Sequence, residues 1–137
     1  MKTIYTAAVE VISGRDGSVR SDDGLLEARL AFQKALGGSG QGTNPEQLLA
    51  AGWGACFASS LAYVAREEGK PLGSIAVNAE VDLLQGSTGF ALKARLTVNA
   101  PGETPARVER LIEQARQVCP YSKALKATVE ADYRVGR

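Results

Sequence analysis

The stretch TNPEQLLAAGWGACFASSLAYVA, residues 43–65, decides the fold of this chain. It opens with a helix start signal, in which Thr43 or Asn44 is the N-cap and Pro45 takes the first helical position. Residues 48–65 then carry no charge, and a helix that is apolar on every side belongs in a protein core or a subunit interface. We therefore expect a long, buried central helix.

An uncharged run of this length also just reaches the length of a membrane span. Two observations favour the buried helix. Glycines, serines and alanines dilute the apolar run, and the strands predicted on both sides of it need an apolar surface to cover. We therefore expect no membrane association.

Short strands precede this helix. Residues 3–12 are rich in β-branched and small side chains, residues 18–21 form a short extended piece, and residues 26–30 alternate apolar with charged side chains. The turn sequences GRDG and DDG separate the three segments. The pattern predicts a small antiparallel meander, and the glycine-rich residues 37–43 predict a loop into the helix.

Two strands and a second helix follow the central helix. Residues 75–83 and 90–98 alternate apolar and polar side chains, which predicts a hairpin with one buried face. Over residues 104–118 apolar side chains recur every three or four positions, with Arg107 and other charged residues expected on the outer side. This helix should end at Cys119, because the next residue is a proline.

A short helical turn at residues 121–126 and a last strand at 129–135 complete the pattern. Because the strands are grouped and do not alternate regularly with helices, the order predicts an α+β fold with mainly antiparallel sheet. No repeat, low-complexity tract or charge block divides the sequence, so we expect one domain over residues 1–137.

The composition excludes several kinds of active site, because the chain has two cysteines and no histidine. Without imidazole there is no Ser-His-Asp triad, no Cys-His pair and no HExxH zinc site. Two thiols also cannot form a four-cysteine metal site within one chain. Chemistry is left to carboxylates, arginine, lysine, hydroxyls and the two cysteines, and we expect no bound metal or cofactor.

The net charge of +1 gives no reason to expect a nucleic-acid partner. The N-terminal sequence MKTIYTAAVEV lacks the apolar block and the small-residue cleavage site of a signal peptide. We therefore expect a cytoplasmic protein, in which two cysteines are more often redox-active than joined in a permanent disulfide.

The two cysteines differ in their expected surroundings. Cys56 lies in the middle of the apolar helix, where the simplest interpretation is a small buried hydrophobe. Catalysis would require a fixed positive neighbour, because a free thiol has a pKa of about 8.5 and is mostly protonated at neutral pH. Cys119 lies at a helix C-terminus, where the dipole does not lower a thiol pKa, so it is suited to respond to another thiol. Their spacing does not show whether they meet.

Since histidine is absent, an arginine is the expected activator of a catalytic cysteine. Arg15 is the most suggestive candidate, because it lies in the tight GRDG turn, although a solvated turn residue beside Asp16 is the simpler interpretation. Glu46 in the first helical turn complements the helix dipole and could also hold an arginine through a bidentate ion pair.

Helix geometry places Glu46 and Cys56 roughly 15 Å apart along the axis and about 80° apart around it. A site within one subunit is therefore awkward. This favours an arginine and a carboxylate that come from a second subunit, which would also give the apolar helix a partner.

Several segments in the same order resemble the organic hydroperoxide resistance (Ohr) proteins of the Ohr/OsmC superfamily of thiol peroxidases. These segments are GRDG (14–17), SDDGLL (21–26), GTNPEQLLAAG (42–52), ACF (55–57) and CPYS (119–122). The resemblance covers essentially the whole chain. Residues 122–126 are more similar to the OsmC branch, whereas the short N-terminus and the GRDG turn favour the Ohr branch.

The resemblance implies an intertwined homodimer, in which mainly antiparallel sheets from both chains wrap around long central helices. It implies that Cys56 is the peroxidatic thiolate, which reduces an organic hydroperoxide to an alcohol and becomes a sulfenic acid. Cys119 would be the resolving thiol that forms a disulfide with Cys56, and an external dithiol, from dihydrolipoyl groups, would reduce that disulfide. Arg15 would activate the thiolate, and Glu46 would orient Arg15.

Trp53, Phe57 and Tyr121 are candidates to contact the alkyl part of the substrate, and each could equally be a core residue. Three alternatives remain open for the whole protein. They are an OsmC-branch peroxidase of broader substrate range, a non-enzymatic thiol redox sensor, and a dimeric module for apolar ligands with inert thiols.

Overall fold

The computed structural model describes residues 1–136. They form three strands, β1 (Val9–Ile12), β2 (Ser18–Ser21) and β3 (Glu27–Arg29), then a short 3-10 helix and the long helix α1 (Pro45–Glu67). The second half contains β4 (Ala76–Gly86), β5 (Gly89–Asn99), α2 (Pro105–Val118), α3 (Pro120–Leu125) and β6 (Glu130–Val135). The mixed α+β class is confirmed.

The chain divides into two compact units, Met1–Leu48 and Leu49–Arg137, and we describe each by itself. The prediction of a single domain over residues 1–137 stays a prediction.

In the first unit, the antiparallel meander is confirmed, with strand order β1-β2-β3. β1 is shorter than predicted, since it pairs only over Val9–Ile12, where the four residues of β2 lie opposite it. The turn between them requires glycine at position 17, because a Cβ there would lie 1.7 Å from the Ile12 carbonyl oxygen.

The start of α1 is as predicted, and the structure decides which residue caps it. The Asn44 Oδ1 atom accepts a hydrogen bond from the Gln47 N–H at 2.9 Å, so Asn44 is the N-cap. The Thr43 hydroxyl donates instead to the Gln47 side chain at 2.7 Å.

In the second unit, a three-stranded sheet has the order β4-β5-β6. The predicted hairpin is present but longer, since β4 and β5 stay paired from Ala76 opposite Asn99 to Gly86 opposite Gly89. β6 pairs parallel to β5, because two helices carry the chain back to the same end of the sheet. The sheet is therefore mixed, with one antiparallel and one parallel pairing.

One face of this sheet carries the core of the second unit. Side chains from α1, α2 and all three strands form one apolar cluster. The largest fully buried members are Trp53, Phe57, Leu61, Leu96, Leu111, Val98 and Cys119. Helix α1 approaches β4 closely at Gly54, where a Cβ would lie 3.4 Å from the Ala79 methyl group. The part of α1 that contains Cys56 is therefore held against the sheet.

The opposite face of the sheet is charged, with cations on β5 and carboxylates on its neighbours. Arg95 lies 2.7 Å from Asp82 and 3.3 Å from Glu80, and Lys93 lies 3.1 Å from Glu130. This alternation leaves one face of the sheet in solvent and directs the other toward the helices.

The observed position of Arg107 contradicts one prediction about α2. It was expected on the outer side of the helix, but it is 8% exposed. Its guanidinium lies 2.6 Å from Glu103 and 2.9 Å from Glu68, so the charge is paired while the aliphatic part of the side chain is buried.

Helix α1 has the length and composition of a membrane-spanning helix. The core helix of a soluble protein can have the same length and the same apolar composition. Trp53, Phe57, Leu61, Val64 and Ala65 of α1 are buried within the chain itself, as the predicted buried helix requires.

Candidate active site

The first unit contains a bidentate ion pair between Arg15 and Glu46. The Arg15 Nη1 atom donates to Glu46 Oε2 at 2.9 Å, and Nη2 donates to Oε1 at 2.6 Å. The carboxylate is held by the first turn of α1, and the guanidinium by the turn between β1 and β2. The two residues that the sequence suggested as partners are therefore in contact.

The backbone beside Arg15 has an unusual conformation. Ser13 has a φ of 68° and Gly14 a φ of 147°, a range that side chains other than glycine rarely adopt. Such positions persist where the surrounding structure imposes them. The Arg15 side chain is thus directed by a specific turn, in contrast to the solvated turn residue considered above.

Gln33 is part of this site and was not found from the sequence. Its side-chain amide donates to Glu46 Oε2 at 3.0 Å. The hydrogen bonds from Arg15, with a smaller contribution from Gln33, hold the pKa of the Glu46 carboxyl below its ordinary value although burial opposes this. Glu46 in turn raises the pKa of Arg15. Both groups are charged at neutral pH, and the guanidinium is fixed in place.

The second unit brings the two thiols together. The Sγ atoms of Cys56 and Cys119 lie 3.6 Å apart, and both cysteines are free thiols. Cys119 is fully buried, whereas Cys56 is partly exposed. Cys56 lies on α1, and Cys119 connects α2 and α3. The structure thus supplies a contact that the spacing in the sequence did not reveal.

The surroundings of the thiols shift their pKa values in opposite directions. Burial raises the pKa of Cys56, the Tyr121 backbone N–H opposes this increase, and Cys119 adds to it. Burial also acts to raise the pKa of Cys119, but the Ser122 backbone and hydroxyl, together with Cys56 and Ser60, outweigh burial and lower it. Among the described residues of the second unit, no cation contributes to the shift of Cys56.

The groups that lower the pKa of Cys119 were not found from the sequence. The sequence suggested a thiol at a helix C-terminus, and Cys119 does end α2. It also directly precedes α3, whose Ser122 contributes to the lowered pKa of Cys119.

Ser122 lies where three elements of the second unit meet. Its hydroxyl oxygen accepts hydrogen bonds from the Trp53 Nε1–H on α1 at 3.0 Å and from the Tyr133 hydroxyl on β6 at 2.8 Å. The Ser60 hydroxyl, in contrast to that of Ser122, acts as a donor, and it donates to the Cys56 backbone carbonyl at 2.9 Å. The CPYS segment drew attention to Ser122, but nothing in the sequence linked it to Trp53 and Tyr133.

The three aromatic candidates occupy different positions. Trp53 and Phe57 are 1% and 0% exposed and belong to the core cluster, whereas Tyr121 is 40% exposed. The Tyr121 hydroxyl would lie only 3.0 Å from a Cβ at position 52, so Gly52 leaves room for it. Contact of these three side chains with a substrate stays a prediction.

Comparison with known proteins gives the family of the chain. The fold is that of the mixed α+β proteins of the Ohr/OsmC type. The family model of OsmC-like proteins matches residues 38–134. The chain therefore belongs to the OsmC-like family.

Its relatives include proteins that are named for organic hydroperoxide resistance. The organic hydroperoxide resistance protein of Xanthomonas axonopodis pv. citri (strain 306) is 38% identical over 131 residues, which cover 94% of this chain and 92% of that protein. An organic hydroperoxide resistance protein from Legionella pneumophila has a crystal structure with a TM-score of 0.93 at 38% identity, covering 99% of this chain and 100% of that one. The crystal structure of OhrB from Bacillus subtilis gives a TM-score of 0.89 at 33% identity, with 98% and 100% covered.

Proposed function

We propose that this protein is a thiol-dependent peroxidase that reduces organic hydroperoxides to alcohols and works without haem, metal or bound cofactor. The observation that carries the proposal is the 3.6 Å contact between the Cys56 and Cys119 sulfurs within one chain. Two thiols at this distance can store two electrons and release them by forming a disulfide.

In the proposed cycle, the Cys56 thiolate attacks the terminal oxygen of the hydroperoxide. An S–O bond forms, the O–O bond breaks, and the alkoxide leaves as an alcohol after it takes up a proton. The Cys119 thiolate then attacks the sulfur of the Cys56 sulfenic acid. The S–S bond forms and hydroxide leaves as water. Cys56 is the proposed peroxidatic thiol because it is the more exposed sulfur of the pair.

The raised pKa of Cys56 means that this thiol needs a cation before it can react at neutral pH. We propose Arg15 for this role. Glu46 binds one N–H of each terminal guanidinium nitrogen, so the remaining N–H groups are free to bind a thiolate and a peroxide oxygen. The active site would combine Arg15 and Glu46 of one subunit with Cys56 and Cys119 of the other, and the assembly would be a homodimer.

The exposed surface of α1 supports a second copy of the chain as the partner. Small and apolar side chains of α1 are exposed in the single chain, at Ala51, Ala55, Ser59 and Tyr63. β1 of the first unit also exposes Val11 and Ile12, which are 58% and 56% accessible. Apolar surface of this kind on separate elements is typical of an interface.

The remaining expectations concern substrate, reductant and location. An apolar site around Tyr121 would favour alkyl hydroperoxides over hydrogen peroxide, because it would bury the alkyl chain. We propose a dihydrolipoyl group, free or protein-bound, as the dithiol that reduces the disulfide. A cytoplasmic location without nucleic-acid or membrane partners remains our expectation.

Stopped-flow consumption of an alkyl hydroperoxide tests this proposal. Wild-type protein with a dithiol should consume it catalytically, and Cys56→Ser should not. Cys119→Ser is the matched control, since it should complete one turnover and accumulate sulfenic acid. Equal consumption by wild type and Cys56→Ser contradicts the proposal. Slow oxidation of wild type that ends in a stable disulfide indicates the redox sensor instead.

A further inference from the structure

Three hydrogen bonds from two separate segments hold the Glu46 carboxylate. Arg15 donates to both carboxylate oxygens, and the Gln33 Nε2 atom donates to Oε2 at 3.0 Å. Oε2 therefore accepts two hydrogen bonds, since the Arg15 Nη1 atom also lies 2.9 Å from it. Arg15 comes from the turn between β1 and β2, whereas Gln33 comes from the loop between β3 and α1. The carboxylate is thus held by two segments that are not continuous in the chain.

Backbone hydrogen bonds fix the loop that carries Gln33. The Gln33 carbonyl oxygen accepts hydrogen bonds from the Leu36 N–H at 2.9 Å and from the Gly38 N–H at 3.0 Å. The two ends of the loop are joined where the Ala31 N–H donates to the Thr43 carbonyl oxygen at 3.0 Å, just before α1 begins. Because these bonds restrict the backbone around Gln33, its side chain reaches Glu46 from a defined position.

The amide of Gln33 is explained by its donor end. A carboxylate can only accept hydrogen bonds, so the Gln33 amide has to turn its nitrogen toward Glu46. The Oε1 atom at the other end of the amide is buried and accepts no hydrogen bond from the described residues 1–136. An unpaired buried acceptor costs stability, whereas an apolar side chain of the same length would fill the space without that cost. Packing alone therefore does not account for an amide at position 33.

We propose that Gln33 is a positioning residue, which holds the Glu46 carboxylate in the orientation that directs the Arg15 guanidinium. The last torsion of a glutamate side chain has only broad preferences, so its carboxylate rotates unless its partners prevent it. The Arg15 side chain is 29% exposed, and an ion pair of two long side chains does not by itself keep one geometry. A donor from a second segment supplies that restriction. The inference rests on the proposed function of Arg15 as the cation that Cys56 needs.

Loss of the Gln33 amide should therefore slow the reaction of Cys56 while Arg15 keeps its charge. In Gln33→Met the side chain stays long and unbranched, and both the donor and the unpaired acceptor are removed. The reaction with an alkyl hydroperoxide should be about tenfold slower than in wild type, the lower end of what a hydrogen bond to a charged group contributes. Gln41→Met is the matched control and should react as wild type does, because Gln41 is an exposed glutamine of the same loop.

The pH profile of Gln33→Glu separates positioning from structural damage. When protonated, the new carboxyl group at position 33 can donate to Glu46 as the amide does, and when ionised it repels Glu46. Glu46 raises the pKa of the new group, and Arg15 opposes this. The rate of Gln33→Glu relative to wild type at the same pH should approach unity toward about pH 5 and fall at least about tenfold by about pH 8. The relative rate of Gln33→Met should stay constant over this range.

Titration of Glu46 tests the hydrogen bond without any peroxide. Gln33 contributes to the lowered pKa of Glu46, so Gln33→Met should raise that pKa. Gln41→Met should leave it unchanged. NMR of the side-chain carboxyl carbons follows the titration, and Glu46→Gln identifies the signal.

Three outcomes overturn the inference. They are an unchanged Glu46 pKa in Gln33→Met, a rate of Gln33→Met equal to that of wild type, and a relative rate of Gln33→Glu that is the same at every pH, which is the result of structural damage. Failure of the proposed function looks different, because wild type then fails to react with hydroperoxide while the Glu46 titration still responds to Gln33→Met.

Discussion

The Sγ atoms of Cys56 and Cys119 lie 3.6 Å apart, although 63 positions separate these residues in the chain. Cys56 projects from the middle of α1, and Cys119 follows the last turn of α2. Phe57 next to one cysteine and Ala115 in the last turn before the other are both 0% exposed. The core of the second unit therefore holds the two thiols at this distance.

Mild oxidation should join Cys56 and Cys119 within one chain. The sulfurs are 3.6 Å apart, so they need to approach by about 1.6 Å to reach disulfide bonding distance, which side-chain rotation can supply. Peptide mapping under non-reducing conditions should identify the cross-linked peptide, with loss of both free thiols. Oxidation that gives mainly chains linked to each other would contradict the intrachain pair.

Arg15→Ala should raise the pKa of Cys56 and slow its reaction with hydroperoxide by about 10²–10³-fold, the usual loss when one preorganised donor is removed. Arg15→Lys should react at an intermediate rate, because lysine keeps the charge and loses the planar fork that meets Glu46. Thiol titration and stopped-flow rates measure both effects. Arg20→Ala, which removes an exposed arginine from the same small sheet, is the control. An unchanged Cys56 titration in Arg15→Ala would remove Arg15 from the mechanism.

Glu46 should contribute to stability at neutral pH and lose this contribution in acid. Because Arg15 lowers the folded-state pKa of Glu46 below its ordinary value of 4.5, the contribution is complete above that value. It then falls as the pH drops through the lower folded-state pKa. Urea unfolding of wild type and Glu46→Gln measures this contribution as a difference in the free energy of unfolding. That difference should be constant above about pH 6 and vanish in strong acid. A difference that stays constant down to the lowest pH would show that the charge of Glu46 does not matter.

Phe57→Ala should destabilise the protein by about 3–5 kcal/mol, because a large core side chain is replaced and a cavity remains. Phe57 is 0% exposed and packs against Tyr133, with ring centroids 5.0 Å apart and ring planes tilted by 49°. Phe90→Ala is the matched control, since Phe90 is 70% exposed and its loss should change the stability by less than about 0.5 kcal/mol. Thermal or urea unfolding compares the two. Equal effects would show that Phe57 is not part of the core that holds Cys56.

Local signals in the sequence predicted most of the secondary structure. Pro45 and the residues before it marked the start of α1, and the proline after Cys119 marked the end of α2. Alternation predicted the hairpin but not its length, because pairing continues past the alternating residues through Leu84, Gln85 and Gly86 up to the turn. The predicted position of Arg107, on the outer side of α2, was wrong. The helical pattern did not show that Glu68 and Glu103 would pair with Arg107 at the edge of the core.

The absence of histidine and the presence of two cysteines are properties of the sequence alone, and they limit the chemistry to carboxylates, arginine, lysine, hydroxyls and the two thiols. Resemblance in the segments around Arg15, Glu46 and the cysteines was enough to suggest the family. Only the tertiary structure decided that Arg15 meets Glu46 through two hydrogen bonds, that the two sulfurs lie 3.6 Å apart, and that Ser122 accepts hydrogen bonds from Trp53 and Tyr133. The reason is physical, since these contacts join residues far apart in the chain, and their distances depend on how helices pack on a sheet.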